Sequence, residues 1–431
     1  MKGSSLVGHA AEALRIVWKS PQPADQVVSE YFRSKKYIGS GERRFLSELV
    51  FAALRVHSLA VSVVSATSKN EHGEDEKAEE HERAIIGTLA LSLGGLIPVD
   101  LEPSLRRAAG ADTDGFISTL PALTTQQLDD LQLGEDKRAC TQQWLIDETR
   151  RKWSATHNDL STSPDDEALN IWKAMLAPAP LCLRVNARRA TREQVMAHLT
   201  SEGVECEAGK HAPMAIIIHQ RVNLLQHSLV QSGVVDIQDE GSQLISLACE
   251  AKQGMRILDA CAGAGGKSMH LADIINDTGE IIARDIEPMR LKETVTRARR
   301  AGLRSVIAEF DAHRGAAKNR SDMFDIVLID APCTGMGTVR RIPLPKWRLS
   351  VDQLKRHTAK QLRLIQQNAD KVLEGGSLVY ATCSILPSEN EDVVRAFLSS
   401  TSDFRLEHEA QVDPYHQGTD GLYMARMRKI R

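Results

Sequence analysis

Apolar positions recur along this chain with two different periods. Up to about residue 140 the period is helical: Leu46, Leu49, Val50, Ala53 and His57 share one face, with Arg44 and Arg55 off it. Beyond residue 180, short unbroken runs of apolar and β-branched residues take over. Residues 181–186 read as a strand, 191–201 as a helix and 214–218 as a second strand, a small βαβ-like subdomain. From Gln238 onward strands and helices alternate. Strands are expected at 256–259, 280–284, 305–308, 326–330 and 378–382, with two short segments around Phe404 and Tyr423 closing the sheet. Helices are expected from near Lys267 and over 288–301, 350–373 and 390–399. Such alternation predicts an α/β domain with a doubly wound parallel sheet. The expected organisation is a helical domain over 1–140, a linker and small α+β subdomain over 141–237, and the α/β domain over 238–431.

Composition narrows the class. At 431 residues the chain can bury more than one sizeable core. A formal net charge of −3 argues against a surface basic all over, so any nucleic-acid contact must be local. Seven scattered cysteines, none in CxxC spacing, point away from a disulfide framework and from zinc. No apolar stretch follows Met1-Lys2, and the longest uncharged run, 84–99, is broken by Gly94, Gly95 and Pro98. A soluble cytoplasmic chain, monomeric and without a membrane partner, is therefore expected. Two stretches carry local charge. Lys35, Lys36, Arg43 and Arg44 surround a Gly-Ser-Gly turn and suit either a phosphate-contacting patch or an ordinary solvated helix end. Residues 69–83 are a charge run expected to be solvated.

Candidate chemistry collects at strand ends. Ile326-Val327-Leu328-Ile329 reads as a strand buried on both faces, and it breaks at once into Asp330-Ala-Pro-Cys333-Thr-Gly-Met-Gly337. A second strand ends in Thr382-Cys383-Ser384. In open α/β sheets that edge is where ligands bind. A lone strand-end cysteine is usually a small core residue; two at equivalent strand ends, one of them three residues after an Asp, favour a functional pair. The first strand of the domain runs into Asp259-Ala-Cys261-Ala262-Gly263-Ala264-Gly265-Gly266-Lys267-Ser268. This is neither a P-loop, because Cys261 stands where a Gly is needed, nor a dinucleotide fingerprint, because Ser268 stands where its last Gly should be. It remains a glycine turn opening a helix, a place for a ligand to meet backbone N–H groups. Asp285 at the end of the next strand is suited to ribose hydroxyls and Asp311 after the third to an adenine amino group; each alone is equally a loop-start acid. Together they suit an adenosine ligand without a polyphosphate, as in S-adenosylmethionine.

These motifs, together with Leu183-Arg-Val-Asn186, Gln238-Asp239 and Tyr380-Ala-Thr-Cys-Ser-Ile-Leu-Pro-Ser-Glu-Asn390, resemble the Sun-type (Fmu) RNA cytosine-5 methyltransferases, most of all the branch that methylates small-subunit ribosomal RNA. The resemblance covers roughly residues 180–431, and more weakly the first 140, which look similar to the NusB-like RNA-binding domain of that branch. The chain departs from the family pattern at Gly263-Ala264 (commonly Ala-Pro), at Leu344 (commonly an acid) and at Leu422-Tyr423 (commonly Phe-Phe). The resemblance implies a Rossmann-like S-adenosylmethionine-dependent methyltransferase domain preceded by the NusB-like and small α+β domains, with RNA as partner. It implies Cys383 as nucleophile, Cys333 assisting product release, Asp330 contacting the base and cofactor, and residues Cys261–Lys267 with Asp285 and Asp311 holding the cofactor. Charge adds one more expectation. Between Arg340 and Arg363 stand eight Lys/Arg and one acid, so Arg340, Arg341, Lys346 and Arg348 are candidate RNA contacts, or else a solvated helix face. Trp347 suits base stacking or packing equally.

Overall fold

The computed structural model describes residues 2–67, 76–110, 113–153, 164–220, 222–310 and 323–431. Asp311 and residues 69–75 of the charge run at 69–83 lie outside the described residues. The chain divides into two compact units: Met1–Pro178 with Val339–Arg348, and Ala179–Thr338 with Leu349–Arg431. The division near 178 differs from the expected one at 140, because the helix Pro164–Ala174 packs on the helix Gln143–Trp153 and buries Trp172 completely.

The first unit is helical, as the periodicity predicts. It opens with α1 (Gly3–Lys19), α2 (Ala24–Ser34), α3 (Ser40–Thr67) and α4 (Glu76–Leu93). Leu46, Leu49, Val50 and Ala53 are fully buried on the inner face of α3. That helix is apolar and long enough to cross a membrane, but two thirds of the relevant stretch is buried in this unit, as in a core helix. Of the basic cluster near its start, Lys35 pairs with Glu12, Arg44 with Glu48, and Arg43 Nε donates to the Ile38 carbonyl. Those three are held by neighbours, which favours the ordinary helix-end reading.

The basic segment after Gly337 corrects the charge-based expectation. Val339–Arg348 belongs to the helical unit, and its cations turn inward to backbone carbonyls. The helix α3 breaks its regular geometry at Val56 (φ −113°, ψ 16°), where carbonyls lose their helical partners. Trp347 Nε1 donates to Leu54 O at 2.7 Å and Lys346 Nζ to Arg55 O at 2.8 Å. Arg348 caps the end of α1, donating to Val17 O and Trp18 O at 2.9 Å each. Arg340 is buried, and its own carbonyl accepts from Arg55. Lys346 is 1% exposed, so it cannot reach an RNA phosphate. Arg340 and Lys346 are thus structural, and Arg348 is committed to a helix C-terminus, where a cation is favourable; Arg341 is half-buried. A charge count cannot distinguish a solvated face from donors spent on open helix carbonyls.

Burial pulls the Lys346 ammonium down to about 8 from 10.5. The unfolded chain then binds the extra proton between those pH values. Stability of the helical unit should therefore rise with pH from about 8 upward, by on the order of 1.4 kcal/mol per pH unit. Urea titrations of the parent and Lys346→Met at about pH 7.5 and about pH 9.5 should show that increment in the parent only; an equal increment in both would place the ammonium in water.

The second unit contains two sheets. Strands β1 (Leu181–Val185), β2 (Cys206–Ala208), β3 (Ala215–Ile218) and β4 (Val235–Ile237) form a small sheet in the order β2-β3-β1-β4. All its pairings are antiparallel, which corrects the βαβ-like expectation. β2 and β4 have three residues each, too few for a legible pattern. Arg184 of β1, 2% exposed, ties this sheet to the helix Gly266–Ile274 by pairing with buried Asp273, and donates to Gln238 Oε1 at 2.8 Å.

The large sheet consists of β5 (Arg256–Asp259), β6 (Glu280–Asp285), β7 (Val306–Phe310), β8 (Phe324–Asp330), β9 (Val372–Thr382), β10 (Phe404–Val412) and β11 (Leu422–Lys429). Their order is β10-β11-β9-β8-β5-β6-β7: β9 to β7 are five parallel strands, β11 pairs antiparallel with β9, and β10 pairs antiparallel with β11 at the edge. Alternate residues of β8 feed two cores: Ile326 and Leu328 lie in one, Val327 and Ile329 in the other. That is why this strand reads as an unbroken apolar run. From β5 the order proceeds one way to β6 and β7 and the other way to β8 and β9. The crevice between β5 and β8 is therefore the topological switch point, where ligands bind in such sheets.

Candidate active site

The glycine turn after β5 closes that crevice from one side. Gly265 has φ +79°, and a side chain there would strike Thr294 at 2.6 Å, so only glycine fits. The helix Gly266–Ile274 starts at this turn and directs its N-terminus into the crevice. Asp285 braces the turn, accepting from Gly263 N and from Glu287 N at 2.8 Å each; it sits at the end of β6 and is 9% exposed. Ala264 O accepts from Arg297 at 2.8 Å.

A cavity of about 250 Å³ opens beside the turn, lined among others by Asp259, Cys261, Ala262, Lys267 and Asp330. Lys267 and Asp330 join across it at 2.6 Å. Burial works against the Lys267 ammonium, but the Asp330 carboxylate outweighs it and the net shift is upward, so Lys267 stays charged. Asp259 is buried and its Oδ2 accepts from Ser268 Oγ at 2.6 Å. Its Oδ1 has no hydrogen bond of normal geometry among the described residues, only a weaker pull from the Cys261 backbone. Burial pushes this carboxyl up to about 6, and burial likewise raises the Cys261 thiol.

Cys333 and Cys383 meet at the ends of β8 and β9, their sulfurs 3.2 Å apart. The two strands are parallel neighbours with Asp330 opposite Ala381, which is what brings the two loops together. The hydrogen bond between the two sulfurs, in which either can be the donor, and burial push the Cys333 thiol well up. Gly337 N donates to Cys383 O at 2.9 Å, and Gly421 N to Gly337 O at 2.8 Å. A side chain on Gly337 would lie 1.7 Å from Gly421 O, so the turn before β11 packs directly behind the cysteine loops.

Sequence reasoning missed the residue that holds these loops. Glu389 is fully buried. Its Oε1 accepts from Thr334 N and from Gln361 Nε2, both at 2.9 Å, and its Oε2 accepts from Thr334 Oγ1. Gln361 also donates to Pro332 O at 3.1 Å. Asn390 does the corresponding work on the other loop: it accepts from Thr382 Oγ1 at 2.6 Å and donates to Ser384 O at 3.0 Å.

The sequence places this site among known proteins. The family model described as 16S rRNA methyltransferase RsmB/F matches residues 245–428, and one described as the RsmF/B-like ferredoxin-like domain matches 142–225. The ribosomal RNA small subunit methyltransferase B of Pasteurella multocida is 30% identical over 345 residues, 75% of this chain and 77% of that protein. The chain belongs to the RsmB/F methyltransferase family. The probable ribosomal RNA small subunit methyltransferase B of Bacillus subtilis is 32% identical over 305 residues, 67% of this chain but just under two thirds, 66%, of that protein. A crystal structure of a methyltransferase homolog protein from Pyrococcus horikoshii matches 67% of this chain and all of that one, with TM-score 0.55 and 26% identity.

Proposed function

We propose that this chain is an RNA (cytosine-5)-methyltransferase acting on small-subunit ribosomal RNA, with S-adenosylmethionine as cofactor and Cys383 as nucleophile. The observation that carries this reading is the pair of thiols 3.2 Å apart at the ends of β8 and β9. The residues around the crevice fit the cofactor: a glycine turn at a helix N-terminus, a strand-end carboxylate in Asp285, and a buried Asp259 oxygen with no hydrogen-bond partner of normal geometry among the described residues. When bound, S-adenosylmethionine supplies an electrophilic methyl group. Asp285 would hold ribose hydroxyls, Asp311 the adenine, and the turn from Cys261 to Lys267 the remainder.

The residues then divide the work. The Cys383 thiolate adds to carbon 6 of cytosine, and the electron pair shifts onto carbon 5, which becomes nucleophilic. A proton taken up at ring nitrogen 3 as the thiolate adds keeps the adduct neutral, and Asp330, held by Lys267, faces the base and accepts that N–H. After carbon 5 carries the methyl group, a base takes its proton, the ring double bond re-forms and the Cys383 sulfur leaves. Cys333 meets that departing sulfur with the proton it holds. Methyl transfer from labelled cofactor to ribosomal RNA, followed by bisulfite mapping, tests the reading; label on no RNA, or on a base other than cytosine, would overturn it.

Asp285→Ala should weaken cofactor binding by roughly tenfold or more, the scale of one or two charge-assisted hydrogen bonds, and leave RNA affinity unchanged. Calorimetry with cofactor and a filter assay with RNA separate the two effects. Equal cofactor affinity in parent and variant would remove Asp285 from the site.

A further inference from the structure

The glycine turn divides the crevice. Asp285 braces it at Gly263, while the cavity continues past Lys267 and Asp330 to Gln238, Ser242 and Arg297. None of these last three was singled out by the cofactor motifs. A ligand with its ribose at Asp285 and its reacting atom near Asp330 has one arm left over, and the cavity is where that arm can lie. In S-adenosylmethionine the arm ends in an α-carboxylate and an α-ammonium.

We propose that Arg297 and Gln238 clamp that carboxylate, and that Asp259 Oδ1 takes the ammonium. The inference rests on the cofactor reading above. Two nitrogens converge at the helix N-terminus: a methyl group built on Gly266 would sit 3.9 Å from both Arg297 Nη2 and Gln238 Nε2. Each group is fixed from behind. Arg297 donates to Ala264 O at 2.8 Å and to Asp236 Oδ2 at 2.6 Å, two of the five N–H groups a guanidinium carries. Gln238 Oε1 accepts from Arg184 Nε at 2.8 Å, which sets the amide so that Nε2 is the donor; its contact to Ser242 Oγ, at 3.4 Å, is long. The helix Gly266–Ile274 adds its N-terminal N–H groups at the same point. For the opposite charge there is a buried carboxylate oxygen, Asp259 Oδ1, without a hydrogen-bond partner of normal geometry among the described residues. Buried acceptors of that kind are rarely left unmet. The donors and the acceptor line one cavity and match the two ends of an amino acid.

Two ligands test this: S-adenosylhomocysteine, which carries the arm, and 5′-methylthioadenosine, which lacks both charged groups. In calorimetry the parent should bind the first more tightly. Arg297→Gln should weaken S-adenosylhomocysteine by about tenfold or more, the scale of a charge-assisted contact, and leave methylthioadenosine within about twofold; Arg297→Lys should recover part of the loss. Because Arg297 also supports the turn through Ala264, Gly266→Ala provides a second variant. Alanine is a better helix former than glycine, and its methyl group occupies the proposed carboxylate position, so it too should affect only S-adenosylhomocysteine. Asp259→Asn should show the same selectivity. Equal loss of both ligands in these variants would make the residues mere props of the turn and overturn the proposal, as would equal affinity of the parent for the two ligands. A parent that binds neither ligand would instead overturn the cofactor reading.

Discussion

Cys333→Ala, incubated with unmodified ribosomal RNA and S-adenosylmethionine, should accumulate as a covalent protein–RNA complex that survives a denaturing gel. Cys383→Ala should form none and should lose turnover by roughly 10⁴-fold or more, the scale on which removal of a covalent nucleophile acts. The asymmetry follows from the thiol pair. The sulfurs are 3.2 Å apart, and the hydrogen bond between them, and then burial, push the Cys333 thiol up. In the mechanism proposed above Cys383 attacks and Cys333 supplies a proton on release, so the two variants should fail at different steps. Removing Cys333 leaves attack and methylation possible but takes away the proton that would meet the departing sulfur. The double variant should form no complex. A complex in Cys383→Ala with none in Cys333→Ala would reverse the assignment.

Much of this site was legible because its parts are local in sequence. The strand Phe324–Asp330 announces itself by four consecutive apolar residues, since both of its faces are buried in separate cores. The glycine turn is legible because positive φ at Gly263 and Gly265 demands the residue type. What the sequence concealed are contacts between distant residues. Glu389 meets Thr334 across 55 positions, and nothing in Pro-Ser-Glu-Asn says where that carboxylate points. Arg297 looks like one more cation on a basic helix, yet it lines the crevice and pairs with Asp236. Lys346 and Arg348 were read from their charge, but the break at Val56 in α3 and the end of α1 had open carbonyls to offer. Charge patterning records how many donors a segment carries. Only the fold decides whether water, RNA or a neighbouring backbone accepts from them.

Glu389→Gln should fold and yet lose turnover by on the order of 10²-fold, the effect of moving a reacting group by about 1 Å. In the parent, one fully buried carboxylate accepts from Thr334 N, Thr334 Oγ1 and Gln361 Nε2. Thr334 follows Cys333 directly, so these bonds fix the thiol's backbone. An amide can accept on one side only; on the other, its NH₂ opposes a donor that was previously satisfied. The cost to stability should be about 1.5–3 kcal/mol for the lost charge-assisted bonds. Glu389→Ala should cost more, roughly 3–5 kcal/mol, because it leaves buried donors unmet and opens a void. Loss of stability alone would not show that Glu389 positions the thiol. Two further readouts do. The Glu389 charge helps hold the Cys333 proton, so its removal should lower that thiol's pKa and speed its alkylation by iodoacetamide at neutral pH, detected by peptide mapping. Glu389→Gln should also accumulate the covalent RNA complex, as Cys333→Ala does, while binding cofactor normally. A folded variant with parental turnover and parental Cys333 reactivity would show that the buried carboxylate only packs the loop.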